Sequence, residues 1–78
     1  MSEILEIFNI SGSGIWLWAD GTEMFLDYAN FPWFKNATVK QILNVEEPTR
    51  GHFYWPDLDV DLTTDIIEHP ERFPLRMQ

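Results

Sequence analysis

Three aspartates near the end of the sequence, Asp57, Asp59 and Asp61, are the residues best placed to do chemistry. They alternate with aliphatic residues. Because successive side chains of an extended strand point to opposite faces, this alternation predicts one face of carboxylates and one face of apolar groups. Carboxylate oxygens bind hard cations and attract basic proteins. The row is therefore a candidate cation site or a candidate protein-binding face.

The same stretch can be counted as a calcium-binding loop of the EF-hand type. With Asp57 at position 1, oxygen donors stand at positions 3, 5, 9 and 12 of the loop, namely Asp59, Asp61, Asp65 and Glu68. Position 6 requires glycine for the sharp turn, and Leu62 stands there instead. The sequence therefore favours a solvated, charged strand face, which deters edge-to-edge pairing, over a metal site.

The residues expected of an enzyme are missing from the sequence. His52 and His69 are the two histidines, and either could act as a general base only beside a suitable nucleophile. The chain has no cysteine, and its serines lie near the amino terminus or in a glycine-containing turn. It has no nucleophile elbow, phosphate-binding loop or zinc-ligand spacing. We therefore expect no catalytic residue, no cofactor and no enzymatic activity.

The charge of the chain restricts its partners. Thirteen acidic and five basic residues give a net charge of −8 over 78 residues. Such a chain repels the phosphate backbone, so nucleic-acid binding is disfavoured, whereas a basic protein partner is favoured. No apolar stretch approaches the roughly 20 residues of a membrane span, and the amino terminus lacks signal-peptide features. The expectation is a cytoplasmic protein that does not bind membranes.

Aromatic residues are unusually frequent, with four Trp, six Phe and two Tyr. Each ring can bury roughly 150–250 Å², which is more than one small core needs. Trp33 lies in a proline-containing loop, where it could anchor a protein partner or fold back over the sheet. Trp16 and Trp18 lie on a strand whose two faces are both apolar, which predicts that both faces are covered. A homodimer is compatible with this composition.

The elements that position these residues are read from hydrophobic periodicity and turn residues. Asp20-Gly21 between apolar runs predicts a hairpin with a type I′ turn. Asn36 is the expected N-cap of a helix over 37–42, and Thr63 or Thr64 that of a second helix. Strands are predicted at residues 4–10, 15–18, 24–26, 42–46, 52–55 and 57–62. We expect one α+β domain over residues 1–78, with a four- to five-stranded, mainly antiparallel sheet and one or two short helices on one face.

Several segments together resemble one known family. The segments are Phe31-Pro32-Trp33-Phe34, Asn44-Val45-Glu46, the run from Tyr54 to Leu62, and His69-Pro70-Glu71-Arg72-Phe73-Pro74-Leu75. With the Asp20-Gly21 hairpin, they make the chain similar to the small bacterial family known as domain of unknown function 2442. The most specific part is the aromatic-Trp-Pro run followed by alternating aspartates. The resemblance covers nearly the whole chain.

The resemblance implies a small α+β sheet domain and no established catalytic residues. It also implies that members are often encoded beside a second small protein, in an arrangement that suggests toxin–antitoxin pairs. Together with the charge, this favours a non-enzymatic protein-interaction module, an antitoxin-like partner of a basic protein, which binds through Trp33 and the aspartate row. The alternative is a small metal- or ligand-binding domain that uses Asp57, Asp59 and Asp61.

Overall fold

The computed structural model describes residues 5–72, which form two antiparallel sheets of three strands each. The strands are β1 (Leu5–Ile10), β2 (Gly14–Ala19), β3 (Thr22–Asp27), β4 (Glu46–Thr49), β5 (His52–Trp55) and β6 (Val60–Thr63). The helices are α1 (Val39–Leu43) and α2 (Thr64–Glu68), with 3₁₀ turns at Pro32–Phe34 and Pro70–Arg72. We call β1-β2-β3 the first sheet and β4-β5-β6 the second sheet.

The predicted α+β class with antiparallel strands and two short helices is confirmed, but the single sheet of four to five strands is wrong. Each strand pairs only with a neighbour in the sequence, and the two groups of strands are separated by the 3₁₀ turn and α1. The strand predicted at 42–46 is also wrong, since residues 42 and 43 complete α1. The fourth strand is β4, which includes Pro48, and proline is tolerated there because β4 is an edge strand.

The hairpin of the first sheet forms as predicted. Asp20 and Gly21 have φ values of 54° and 78°, the left-handed conformation that both central residues of a type I′ turn require. Ala19 pairs with Thr22 directly across the turn. The local sequence therefore sets the register between β2 and β3, and with it the face of the sheet on which each side chain lies.

The strand predicted over residues 57–62 begins only at Val60, because the chain turns first. Trp55 pairs with Val60 across a loop of four residues, and the Leu58 amide donates to the Trp55 carbonyl at 3.2 Å. Pro56 follows Trp55, which is the position that proline favours in such a turn. Asp59 then takes a φ of 54°, a left-handed conformation that aspartate tolerates better than most residues.

Both helices have a threonine as their N-cap residue. The Gln41 amide donates to Thr38 Oγ1 at 3.1 Å, and the Thr38 amide donates to Gln41 Oε1 at 3.0 Å, which is a complete capping box. The prediction of Asn36 as N-cap is therefore wrong, because Thr38 has a glutamine three residues later and Asn36 does not. Thr63, one of the two predicted candidates, caps α2 by accepting from the Ile66 amide at 3.3 Å.

One apolar core joins the two sheets. Trp55 is fully buried, its indole N–H donates to the Ile42 carbonyl at 2.9 Å, and its ring packs edge-on against Phe34 at 4.9 Å. α2 packs against β3 and β6, one strand from each sheet. The buried apolar side chains of this core are those of Ile15, Leu17, Ala19, Met24, Leu26, Phe31, Phe34, Ile42, Phe53, Trp55, Val60, Leu62 and Ile67. The inner face of each sheet is thereby fixed against the other.

None of the helices within residues 5–72 is long and apolar enough to cross a membrane.

Candidate functional site

The aspartate row does not form a common face. Asp57, Asp59 and Asp61 are all exposed, but only Asp61 lies on a strand. Asp57 accepts a hydrogen bond from Asn44 Nδ2 at 3.0 Å, and Asp61 pairs with His52 Nε2. The turn at residues 56–59 breaks the alternation on which the common face depended. Two of the three carboxylates are thus engaged by different neighbours within the chain.

The structure gives no geometric support to a metal site built on this row. Among residues 5–72, no three His, Asp or Glu side chains come together in a way that could hold a metal ion. The five residues considered for such a site, Asp57, Asp59, Asp61, Asp65 and Glu68, are included in that finding. Asp65 and Glu68 lie on α2, and Asp59 lies in the turn before β6.

Trp33, His52 and His69 lie on or beside three different elements. Trp33 lies in the first 3₁₀ turn, where it is half-buried and packs against the core. His69 is the C-cap residue of α2, and its Nδ1 lies 3.7 Å from Glu71 Oε2. His52 lies on β5 beside Asp61. The exposed large apolar side chains of the described part of the chain are instead Phe8, Val39 and Leu43.

A patch of aromatic rings lies on the outer face of the first sheet. Ile15, Leu17 and Ala19 of β2 point into the core, so Trp16 and Trp18 point outward, and both are only half-buried. The predicted cover on both faces of this strand is therefore incomplete. Phe25 follows the same alternation on β3. We call Phe8, Trp16, Trp18 and Phe25 the aromatic face.

The rings of the aromatic face contact one another across the strands. The centroids of Trp16 and Phe25 are 4.9 Å apart, and those of Phe8 and Trp16 are 6.1 Å apart, both in tilted arrangements. Such spacings are within the range of favourable aromatic pairs. The row thus spans all three strands of the first sheet and forms one continuous apolar surface.

Two backbone features shape the aromatic face. The register of β1 on β2 shifts between Ile7 and Asn9, so Phe8 is the extra residue of a β-bulge and remains 45% exposed. At Gly14, an added Cβ would lie 2.7 Å from Phe25 Cζ and 2.5 Å from the Leu26 carbonyl oxygen. The Phe25 ring therefore lies close over the Gly14 backbone, and this packing is possible only because glycine has no side chain.

Sequence reasoning missed this surface, although one signal for it was present. A strand with two apolar faces needs cover on both sides, and a domain of 78 residues has few elements to supply it. The apolar outer face of β2 in the sequence therefore had two interpretations, a second packing layer or an exposed apolar patch. The bulge at Phe8 had no such signal, since no glycine or proline marks it in the sequence.

The molecule is thus a small α+β domain in which two antiparallel three-stranded sheets share one core and the first sheet carries an aromatic outer face. The model of a family described as "Protein of unknown function (DUF2442)" matches residues 4–73, and the chain belongs to that family. The resemblance seen in the sequence is confirmed. Neither the curated proteins nor the solved structures compared with the chain include a match.

Proposed function

We propose that this chain is a non-enzymatic protein-interaction module that binds a basic protein through its aromatic face. The observation that carries the proposal is the row of half-exposed rings on the outer face of the first sheet, from Phe8 through Trp16 to Phe25. Tryptophan, tyrosine and arginine supply most of the binding energy at protein interfaces, in well-packed central pockets. A rigid sheet presents such rings with little loss of side-chain freedom on binding.

The charge of the module favours a basic partner. Its net charge is −8, and the exposed carboxylates of Glu6 and Glu23 lie at the border of the aromatic face. An apolar centre with an acidic border complements a partner whose apolar residues are surrounded by lysine and arginine. The same charges disfavour a nucleic-acid backbone as the occupant. The aromatic face replaces Trp33 and the aspartate row as the surface that we assign to the partner.

The mechanism that we propose is occlusion. When the aromatic face covers the basic surface with which a partner acts, the partner is inactive for as long as the complex lasts. This is the antitoxin-like role that the family resemblance implies. It requires no catalytic residue of this chain, only an interface large enough to exclude water from its centre.

The proposal is tested by selection from a phage-displayed library of random peptides on the immobilised full-length chain. We expect enrichment of peptides that combine arginine or lysine with aromatic or aliphatic residues, and weaker capture as salt is raised. Phe8→Ser should reduce capture strongly, because it removes the most exposed ring of the row. Phe8 lies on an exposed bulge, so this variant is expected to fold, which circular dichroism would check.

The matched control is Val39→Ser combined with Leu43→Ser. These residues of α1 are 58% and 53% exposed, so the variant removes exposed apolar area from a helix and leaves the rings of the aromatic face unchanged. Capture by this variant should equal that of the parent chain. The proposal is overturned if acidic or uncharged peptides are enriched as well as basic ones, or if Phe8→Ser retains full capture.

A further inference from the structure

We infer that a cleft on the first sheet receives one arginine side chain of the partner, an inference that rests on the proposed function. The cleft is lined by Glu6, Phe8, Trp18 and Glu23 and has a volume of about 230 Å³. We call it the arginine cleft.

The strand register places the two carboxylates on either side of one indole. Trp18 on β2 pairs with Glu6 on β1 and with Glu23 on β3. Since neighbouring strands lie about 4.8 Å apart, the two glutamate backbones are separated by about 10 Å with Trp18 between them. All three residues therefore project from the outer face of the sheet in one row.

This arrangement combines two attractions for a planar cation. An aromatic face attracts cations through its quadrupole, most strongly for tryptophan. A carboxylate binds a guanidinium through short, charge-assisted hydrogen bonds, often two at a time. Arginine can stack on Trp18 and donate to Glu6 and Glu23 at once, because its donors lie in the plane of the group. Lysine is a compact, strongly hydrated charge and does not stack in this way.

The cleft is shallow and open to solvent, and its small size and apolar wall suit one side chain rather than a whole ligand. Its volume of about 230 Å³ is below the roughly 300–1,000 Å³ of sites for small molecules and cofactors. Phe8, held outward by the bulge, forms the wall against which the methylene stem of arginine can pack.

The test is an NMR titration of the full-length chain with Nα-acetyl-arginine N-methylamide. We expect saturable shifts of the backbone amides of Glu6, Phe8, Trp18 and Glu23 and of the Trp18 indole N–H. The corresponding citrulline compound has nearly the same shape and no charge, and it should bind about tenfold more weakly. Equal binding of the two compounds, or shifts confined to other parts of the chain, would overturn the inference.

Two double variants separate the local effect from the effect of net charge. Glu6→Gln with Glu23→Gln should weaken arginine binding about tenfold or more by removing both acceptors. Glu46→Gln with Glu68→Gln removes the same number of charges from exposed positions on β4 and α2, and it should leave the affinity nearly unchanged. If both double variants weaken binding equally, the attraction comes from the net charge and the arginine cleft is wrong.

The outcomes for the cleft and for the proposed function can be told apart. If peptides are selected but arginine-containing peptides bind the Glu6→Gln/Glu23→Gln variant as well as the parent, the partner uses the aromatic face without the cleft, and this inference fails alone. If the arginine compound binds in the cleft but no basic peptide is ever selected, the cleft stands and the proposed function fails.

Discussion

The two sheets turn their inner faces to the same core, but their outer faces differ in chemistry. On the second sheet, the outer face is polar: Tyr54 lies between Glu46 and Asp61, and His52 pairs with Asp61. On the first sheet, the corresponding positions hold the rings of the aromatic face. Antiparallel sheets with one solvated face usually alternate apolar and polar residues, as the second sheet does.

The difference shows which surface needs an explanation beyond folding. The polar outer face of the second sheet is what an antiparallel sheet with one face toward water is expected to have. The aromatic outer face of the first sheet exposes apolar area that contributes less to the core than inward-facing rings would. Surfaces of this kind mark interaction sites in soluble proteins when they are contiguous. Substitutions at four places would test this contrast, and their expected effects decrease from the core to the aspartate row.

The largest effect is expected where the second sheet meets the core. Trp55→Ala removes a fully buried ring and its hydrogen bond to the Ile42 carbonyl, so we expect a loss of about 3–5 kcal/mol in the free energy of unfolding. Trp18→Ala makes the same change on the half-exposed outer face of the first sheet and should cost about 1 kcal/mol. Urea unfolding followed by circular dichroism measures both. Equal losses would mean that the aromatic face is as important for folding as the core.

The second largest loss of stability is expected at Gly14, whose backbone lies directly beneath the Phe25 ring of the aromatic face. Gly14→Ala places a Cβ against Phe25 and the Leu26 carbonyl, so the strand or the ring must move, at a cost of about 1–3 kcal/mol. Gly12→Ala is the matched control, because nothing lies within 4 Å of its added Cβ, and its stability should be close to that of the parent. Thermal unfolding of the two variants compares them. A neutral Gly14→Ala would show that Phe25 is not held as described.

A moderate effect is expected at the junction of the second sheet and α2. Thr63→Ala removes the oxygen that accepts from the Ile66 amide, and we expect a loss of about 1 kcal/mol in the free energy of unfolding, measured by urea unfolding. Thr63→Ser keeps an oxygen at that position and should restore most of the stability. If serine is as destabilising as alanine, the methyl group of Thr63, and not its hydroxyl, is what matters.

The smallest effect is expected at Asp59, and it compares the aspartate row with the aromatic face. Asp59→Gly suits the left-handed backbone but increases the freedom of the unfolded chain, so the two contributions should cancel to within about 0.5 kcal/mol. Peptide capture by Asp59→Gly should match that of the parent, in contrast to Phe8→Ser. If Asp59→Gly lost peptide capture while its stability was unchanged, the binding site would include the aspartate row and not the aromatic face alone.

The sequence predicts well those features that depend on a few adjacent residues. The Asp20-Gly21 hairpin and the cap of α2 at Thr63 follow from local chemistry, and both are confirmed. Two failures have local causes, since the capping box of Thr38 and Gln41 and the turn at Pro56 both lie within a few residues. The other failures occur where the outcome depends on contacts between distant segments. Pro48 lies in β4, which is possible because β4 is an edge strand, and whether a strand is at an edge depends on the rest of the fold. The number of sheets depends on how the two groups of strands pack, which local patterns do not specify.

The candidate site is harder to predict, because the exposure of its rings depends on whether another part of the chain packs over them. The sequence predicts a loop position for Trp33 and a covered strand position for Trp18, yet Trp33 folds back onto the core while Trp18 stays on the open face of its sheet. The aspartate row resembles a single strand because alternation continues through Asp57, Asp59 and Asp61. The turn that follows Pro56 interrupts it, and only Asp61 lies on a strand.

The pairing of strands only with their sequence neighbours has a consequence for how the chain folds. Every ladder in the two sheets closes a short loop, so the entropy lost in forming it is small and a rapid folding reaction is expected. The core adds cooperativity, since Trp55 of the second sheet packs on Phe34 and Ile42 from the segment that joins the two sheets. Each three-stranded unit can thus begin to form while the chain is being synthesised, and we expect the joining segment to gain its main packing partner when Trp55 has been added.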